Sequence, residues 1–287
     1  MDVVNVTGPQ AVQPQSSQAL WLVGCGNMAG AMVEGWRSAG IDLSQATAIR
    51  PSGTAVEGVR TVRSIVEAGT APAMALLGFK PQKLDEVAPE LAGAIDERTV
   101  ILSMLAGVEV ATLRQRFPRA AAVVRIMPNV TVAIRRGVTA LYGEELDTVQ
   151  QARVNELLTP LGLVVWCPNE AQVGTIGAIA GSGPAYVARF IEALAGAGEQ
   201  KGLDPTLALT LARETVLGTG WLAATTAEPM DEIVRKVRSP NGTTQAGLEV
   251  LEAELPGVIL RTVEAAGRRS AELAAEARAI DSAPAAP

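Results

Sequence analysis

Between Ala19 and about Pro168 the chain is built of short apolar runs, ALWLVG, ATAIR, AMALLGF, TVILSML, AAVVRIM, GVTALYG and GLVVWC, separated by segments of helical length and spacing. Such runs, rich in Val, Ile and Leu, predict buried strands, and their alternation with helices predicts βαβ units around a parallel sheet. After Asn169 the pattern changes. Ala- and Leu-rich segments cover roughly 184–200, 205–226, 229–238, 244–254 and 257–277, with Gly and Pro between them and no strand candidate. The predicted architecture is α/β: a doubly wound domain over residues 19–168, then an all-α domain over 169–278. Residues 1–18 and 279–287 carry no periodic apolar positions and are expected to be disordered tails. The longest uncharged stretch, Ala171 to Ala188, approaches the length of a membrane span. Gln172, Ser182, Pro184 and several glycines interrupt it, so a buried helix pair is expected.

Composition narrows the chemistry. With 287 residues, 48% of them hydrophobic and 19% charged, the chain has material for two domains with substantial cores. A net charge of −6 and a pI near 5.0, without a local Lys/Arg cluster, argue against a nucleic-acid partner. Cys25 and Cys167 lie far apart in apolar settings, which suggests reduced packing thiols and points to the cytoplasm rather than to a disulfide framework or a metal site. Residues 1–18 contain no Lys or Arg and no continuous apolar run, so they resemble neither a signal nor a transit peptide. The chain has no histidine. Every mechanism that needs an imidazole is therefore excluded.

The stretch LWLVGCGNMAGAM places Gly24-Cys25-Gly26-Asn27-Met28-Ala29 between a predicted strand and a helix. This is the G-x-G-x-x-G/A pattern of a dinucleotide loop: Gly24 for the tight turn, Gly26 for close approach to a pyrophosphate, Ala29 for helix–strand packing. Read structurally, it is an ordinary βα turn. The next strand ends in Ala48-Ile49-Arg50-Pro51-Ser52-Gly53, with a cation and a hydroxyl where NAD would need an acid. That favours NADPH, with Arg50 and Ser52 on the 2′-phosphate and NADH as the alternative; the plain reading is a solvated arginine. Ligands of such sheets bind at the carboxyl ends of strands, so Phe79, Lys80 and Pro81 in GFKPQ, and Leu105 and Ala106 in SMLAGV, should border the cofactor. Lys80 also reads as a surface charge, and the second turn as packing.

Two motifs stand out in the second half. IAGSGPAYVARFIEAL sets Gly181-Ser182-Gly183 before Pro184, either a kink between helices or a close backbone approach to a ligand. VRSPNGTTQAGLEVLE sets a Pro-Asn-Gly turn and two threonines before a helix marked by Leu248, Leu251 and Leu255. A helix N-terminus with free N–H groups and two hydroxyls has the form of an anion site, although N-capping also explains hydroxyls there.

With GCGNMAGAM, FKPQ, SMLAGV, RIMPNVTVAIRRGVTALY, GSGPAYVARFIEAL and VRSPNGTTQAGLEVLE in this order from Ala19 to Glu272, the chain resembles the pyrroline-5-carboxylate reductases. The last two motifs are specific to that family. The resemblance implies a Rossmann domain, a helical domain interlocked with a second copy in a homodimer or higher oligomer, and hydride transfer from NAD(P)H to the C=N bond of 1-pyrroline-5-carboxylate, the last step of proline biosynthesis. It implies that backbone N–H groups of Asn241, Gly242 and Thr243 hold the substrate carboxylate with Ser239 nearby, and that Thr244 offers its hydroxyl to the ring nitrogen. Asn241 departs from the Gly common at that place; Asn tolerates the left-handed conformation. Competing readings are an imine reductase for another cyclic imine, a hydroxyacid dehydrogenase, and an NADPH-binding protein without turnover. The dehydrogenase would need a catalytic lysine in the helical domain, and Lys201 and Lys236 sit in no such motif. Neither nucleic acid nor membrane is an expected partner.

Overall fold

The computed structural model describes residues 5–7 and 19–281. They form two compact units, one of the described residues up to Ser182 together with those from Ala266 to Asp281, the other Gly183–Ala265. The first unit is built on a nine-stranded sheet. Its strands are β1 (Asn5–Thr7), β2 (Leu20–Val23), β3 (Ala46–Ile49), β4 (Arg60–Val62), β5 (Met74–Leu77), β6 (Val100–Ser103), β7 (Ala122–Pro128), β8 (Gly137–Glu144) and β9 (Gly162–Trp166), in the order β1-β9-β8-β7-β6-β5-β2-β3-β4. From β4 to β7 the neighbours are parallel; β8 runs antiparallel to β7, β9 parallel to β8, and β1 antiparallel to β9. The parallel part has the doubly wound Rossmann order, and the chain reverses its direction of winding between β2 and β5.

Alternation along each strand divides the core between the two faces of the sheet. Leu20 and Leu22 of β2, Met74 and Leu76 of β5, and Val100 and Leu102 of β6 face α1 (Asn27–Ser38) and α5 (Thr148–Leu158), through Met32, Trp36 and Leu158. Trp21, Val23, Ala75, Leu77 and Ile101 point the other way, onto α2 (Ile65–Ala68), α3 (Leu84–Ala94) and α4 (Val110–Arg116). Trp36 is wholly buried, and its indole N–H is satisfied by the Leu157 carbonyl at 2.7 Å.

After β9 come α6 (Glu170–Ile176), a π turn at Gly177–Gly181, α7 (Gly183–Gln200), α8 (Pro205–Thr225), α9 (Met230–Val237) and α10 (Thr243–Asp281). The division between units falls at Ser182 rather than at Asn169. Val173 and Ile176 of α6 pack with Ala140 and Cys167 beside the sheet, which keeps α6 in the first unit. In the second unit α7 and α8 meet through Ile191, Ala195, Ala208 and Ala212. Asp204 caps α8, accepting from the N–H groups of Thr206 and Leu207 at 3.0 and 3.1 Å, with Pro205 in the first turn.

Four further expectations change. All seven expected strands are present, but β4 was not expected: only Val62 of its three residues is buried, too little for an apolar run. Residues 5–7, expected in a disordered tail, pair with Val164–Trp166 of β9, an open ladder that offers unpaired N–H and C=O groups to any nearby extended segment. The rest of residues 1–18, and residues 282–287, lie outside the described residues. The second expected tail does not begin at 279, because α10 continues to Asp281. Nor is there a break at 254–257. Pro256 lies inside a 39-residue α10; the carbonyl of Glu252 loses its helical donor, but Glu252 is exposed, so water can replace it.

Candidate active site

The residues expected to bind the cofactor all follow the carboxyl ends of β2, β3, β5 and β6, in the loops there and in the first turn of α1. Gly24 has φ +77°, and its N–H donates to the Ile49 carbonyl at 3.0 Å. A Cβ on Gly24 would lie 3.0 Å from the Phe79 nitrogen, and one on Gly78 would lie 2.5 Å from the Gly24 carbonyl oxygen. The first turns after β2 and β5 are thus in main-chain contact where the winding reverses, and glycine is required on both sides. Ala29 is buried against this contact. Gly26 differs: it is exposed, has φ −86°, and a Cβ there would meet nothing within 4 Å. It precedes α1, which begins at Asn27 and Met28 with no side-chain cap. An open cradle at an uncapped helix start fits a dinucleotide pyrophosphate. A cleft of about 480 Å³ lies beside it, lined by Gly26, Asn27, Val33, Arg37, Arg50 and Val56 among others.

At the end of β3, Arg50 through Gly53 form a turn closed by the Gly53 N–H on the Arg50 carbonyl at 2.8 Å. Arg50 Nη1 donates to the Thr54 carbonyl at 3.0 Å, and the Ser52 and Thr54 hydroxyls are 2.9 Å apart. After β5, Lys80 is exposed and Pro81 opens a short 3₁₀ turn; Phe79 packs against the core. After β6, Ala106 is exposed. Leu105 is buried in the core, so only its main chain can border a ligand. Burial pushes the Cys25 thiol up, opposed by the weaker pull of Arg50. Cys25 is therefore a protonated packing group.

The helical unit holds the other candidates. Asn241 has φ +58°, as a left-handed turn residue should. Its N–H donates to Gln245 Oε1 at 3.0 Å, and the Gly242 N–H donates to the Ser239 carbonyl at 3.0 Å. A Cβ on Gly242 would overlap the Ser239 hydroxyl. The N–H groups expected from Asn241 and Gly242 are thus taken, the first by the Gln245 side chain of α10 and the second by Ser239 within the turn. Those of Thr243, Thr244 and Gln245, at the start of α10, have no acceptor among the described residues. Neither threonine hydroxyl makes a hydrogen bond among them, so neither caps the helix. Thr244 is half-buried, Thr243 exposed.

Residues 170–273 match the family model for pyrroline-5-carboxylate reductase dimerisation. A pyrroline-5-carboxylate reductase of Pseudomonas aeruginosa is 33% identical over 267 residues, covering 90% of this chain and 98% of that protein. The chain belongs to the pyrroline-5-carboxylate reductase family. The solved structure of a pyrroline-5-carboxylate reductase from Coxiella burnetii superimposes with a TM-score of 0.82 at 29% identity, covering 90% of this chain and 99% of that one. That of a Plasmodium falciparum pyrroline carboxylate reductase with NADP bound has a TM-score of 0.80, covering 90% and 98%; at 23% identity it speaks for the fold.

One contributor in this family member gave no signal in its sequence beyond lying in a motif. Asn129, buried after β7, donates through Nδ2 to the Ala180 carbonyl in the π turn at 2.8 Å and accepts at Oδ1 from the Val138 N–H (3.1 Å) and the Thr131 hydroxyl (2.8 Å). It ties the last turn before Gly181-Ser182-Gly183 to the sheet. Arg125, also buried, is 3.1 Å from Glu170 Oε1, which accepts as well from the Val110 N–H at the start of α4 (3.1 Å). Tyr142 nearby donates to Glu144 Oε1 at 2.7 Å, and this bond, with burial and the charges of Glu144 and Glu170, pushes its phenol up to about 12. Replacing Asn129 with alanine takes the partner from the Ala180 carbonyl and the Val138 N–H at once, while the Thr131 hydroxyl keeps the Arg136 carbonyl at 2.9 Å. The Asn129→Ala chain should lose about 2–4 kcal/mol in urea unfolding, with an unchanged m-value, and Asn129→Asp, which keeps the acceptor, should lose less.

Proposed function

We propose that this chain reduces the C=N bond of 1-pyrroline-5-carboxylate to give L-proline, with NADPH as reductant and NADH as the poorer alternative. The observation that carries the proposal is the open start of α10, where three N–H groups and two hydroxyls have no partner among the described residues, behind a turn whose own donors are already taken. A small carboxylate bound there gains about 0.3–1 kcal/mol from the helix terminus, and each charge-assisted hydrogen bond contributes roughly 1.5–3 kcal/mol. Two or three such contacts orient a small anion without an arginine. We assign the carboxylate to the N–H groups of Thr243 and Thr244, in place of the expected set of Asn241, Gly242 and Thr243. Those two residues and Ser239 shape the turn.

Reduced nicotinamide, when bound, supplies the hydride. Gly24, Gly26, Asn27, Met28 and Ala29 form the cradle for the dinucleotide, Phe79, Lys80, Pro81, Leu105 and Ala106 border it, and Arg50 with Ser52 favours a 2′-phosphate. NADP in the Plasmodium falciparum structure agrees with this reading. A protonated imine already carries the charge that draws a hydride, so a chain without histidine needs no strong acid. Thr244 orients the ring nitrogen rather than titrating, and catalysis rests on positioning and fixed dipoles.

The helical unit exposes Val187, Phe190 and Leu194 at helical spacing on α7, Leu207 and Leu211 on α8, and Val250, Leu251, Val258 and Ile259 on α10. Together with the dimerisation match, these faces support a homodimer with interlocked helices, in which the partner contributes to each active site. Two buried thiols fit a reducing cytoplasm. No described helix is long and apolar enough to cross a membrane.

The test mixes the purified chain with pyrroline-5-carboxylate and NADPH, follows cofactor absorbance and identifies the product, with NADH and piperideine carboxylate as comparisons. Proline formed fastest with NADPH is the expected result. Reduction of the six-membered ring alone would move the chain to another imine, and no reduction of either would refute the proposal.

A further inference from the structure

We propose that Arg63, which lies outside every motif of the chain, sets its preference for NADPH by binding the 2′-phosphate; the inference rests on the dinucleotide reading above. The parallel register pairs Ile49 of β3 with Val62 of β4, and the Arg50 N–H donates to the Val62 carbonyl at 2.8 Å. The residues that follow, Arg50 and Arg63, therefore stand side by side at the carboxyl ends of adjacent strands, where ligands of doubly wound sheets bind.

The Arg63 guanidinium lies against the turn that carries Arg50 and Ser52. Its Nε, Cζ and Nη2 are each 2.9 Å from the point where a Cβ on Gly53 would be, so the planar group rests on the glycine. Gly53 has φ +69°. Both its conformation and the space above it belong to glycine alone. Nothing neutralises the guanidinium among the described residues. Glu67, the acid nearest in sequence, accepts instead from the Arg63 N–H (3.3 Å) and the Ser64 hydroxyl (3.1 Å). Arg60, two positions from Val62, is spent on the carbonyls of Glu67 and Ala68 at the end of α2. Arg50 has committed Nη1 to the Thr54 carbonyl.

The two arginines thus divide the work. Arg50 lines the cleft and holds its loop, whereas Arg63 presents a planar fork of donors, uncommitted among the described residues, against Gly53 of the same turn. A phosphate monoester takes that geometry in bidentate fashion, and NADH has nothing to offer it. A guanidinium laid on a backbone turn also loses less freedom on binding than one waving in solvent.

The experiment titrates the full chain, as Arg63→Gln and Arg63→Lys variants beside the parent, with NADPH, NADH, adenosine 2′,5′-bisphosphate and adenosine 5′-monophosphate, reading dissociation constants from fluorescence without substrate. Arg63→Gln should weaken NADPH and the 2′,5′-bisphosphate about 10- to 100-fold and leave NADH and the monophosphate within about 2-fold. Lysine should restore part of the loss, as a point charge does. Gly53→Ala, which unseats the guanidinium, should shift the same ligands in the same direction. Unchanged NADPH binding in Arg63→Gln, or an equal loss for NADH, overturns the inference. Selective loss in a chain that reduces no cyclic imine would leave it standing and refute only the proposed function.

Discussion

Gly78→Ala is expected to destabilise the sheet unit by about 3 kcal/mol and to abolish NADPH binding, while Gly26→Ala leaves the melting temperature unchanged and weakens NADPH about 100-fold. The two substitutions add the same methyl group in opposite surroundings. At Gly78 the new carbon would stand 2.5 Å from the Gly24 carbonyl oxygen and 3.2 Å from Met104 Cε. Met104 can move; the carbonyl belongs to a turn held by the Gly24 N–H on β3 and cannot. Relief requires the turns after β2 and β5 to separate, which opens the place where the winding reverses. At Gly26 the methyl meets open space, and φ −86° suits any residue. The folded chain has no reason to respond. Only a pyrophosphate that must approach this main chain would feel the added carbon. Calorimetry of the two variants with and without NADPH separates the effects. Loss of stability in Gly26→Ala would show that the loop is packed rather than open.

The same pair of glycines marks how far the sequence could be read. The run LWLV followed by GCGNMA carried the strand, the turn and the helix, because burial on both faces produces an unbroken apolar run and a tight turn demands glycine. Gly78 carried no such signal: its requirement comes from Gly24, more than fifty positions away, and one chain shows no such pairing in advance. β4 was invisible for a related reason. Three residues at the sheet edge, one of them buried, bury too little to leave a pattern. With β4 hidden, the neighbourhood of Arg50 and Arg63 was hidden as well.

Asn129 and Pro256 show two further limits. Asn129 could be quoted within a motif, but its three bonds run to residues at three distances along the chain, so no local spacing reveals them. Pro256 predicts a break because it lacks an N–H, yet a solvent-facing helix can leave one carbonyl to water and continue. Apolar periodicity alone could not distinguish the two outcomes. The threonine pair was ambiguous in the other direction. Hydroxyls before a helix suggest caps, and only the hydrogen bonds of Asn241 and Gly242 show that this turn is closed without them.

That distinction sharpens the expected behaviour of Thr244→Ala. If the hydroxyl capped α10, its removal would cost about 1 kcal/mol. It makes no hydrogen bond among the described residues, and alanine is the better helix former, so stability should hold or rise by a few tenths of a kcal/mol. Turnover should fall by about 100- to 1,000-fold, the effect of removing one preorganised donor at a reacting centre. The loss should appear in kcat more than in KM. On the proposed reading the carboxylate rests on the Thr243 and Thr244 N–H groups, which belong to the main chain and survive the substitution, whereas the lost contact is the one proposed to align the ring nitrogen. Binding of NADPH should not change. Thr244→Val, with the shape but not the hydroxyl, should behave like alanine, and Thr244→Ser should recover to within about 10-fold of the parent because it restores the oxygen. Steady-state kinetics and thermal unfolding on the three variants decide the matter together. A Thr244→Ala chain that melts early while keeping its kcat would make the residue a helix cap after all, and the start of α10 would then need another explanation for its unpaired donors.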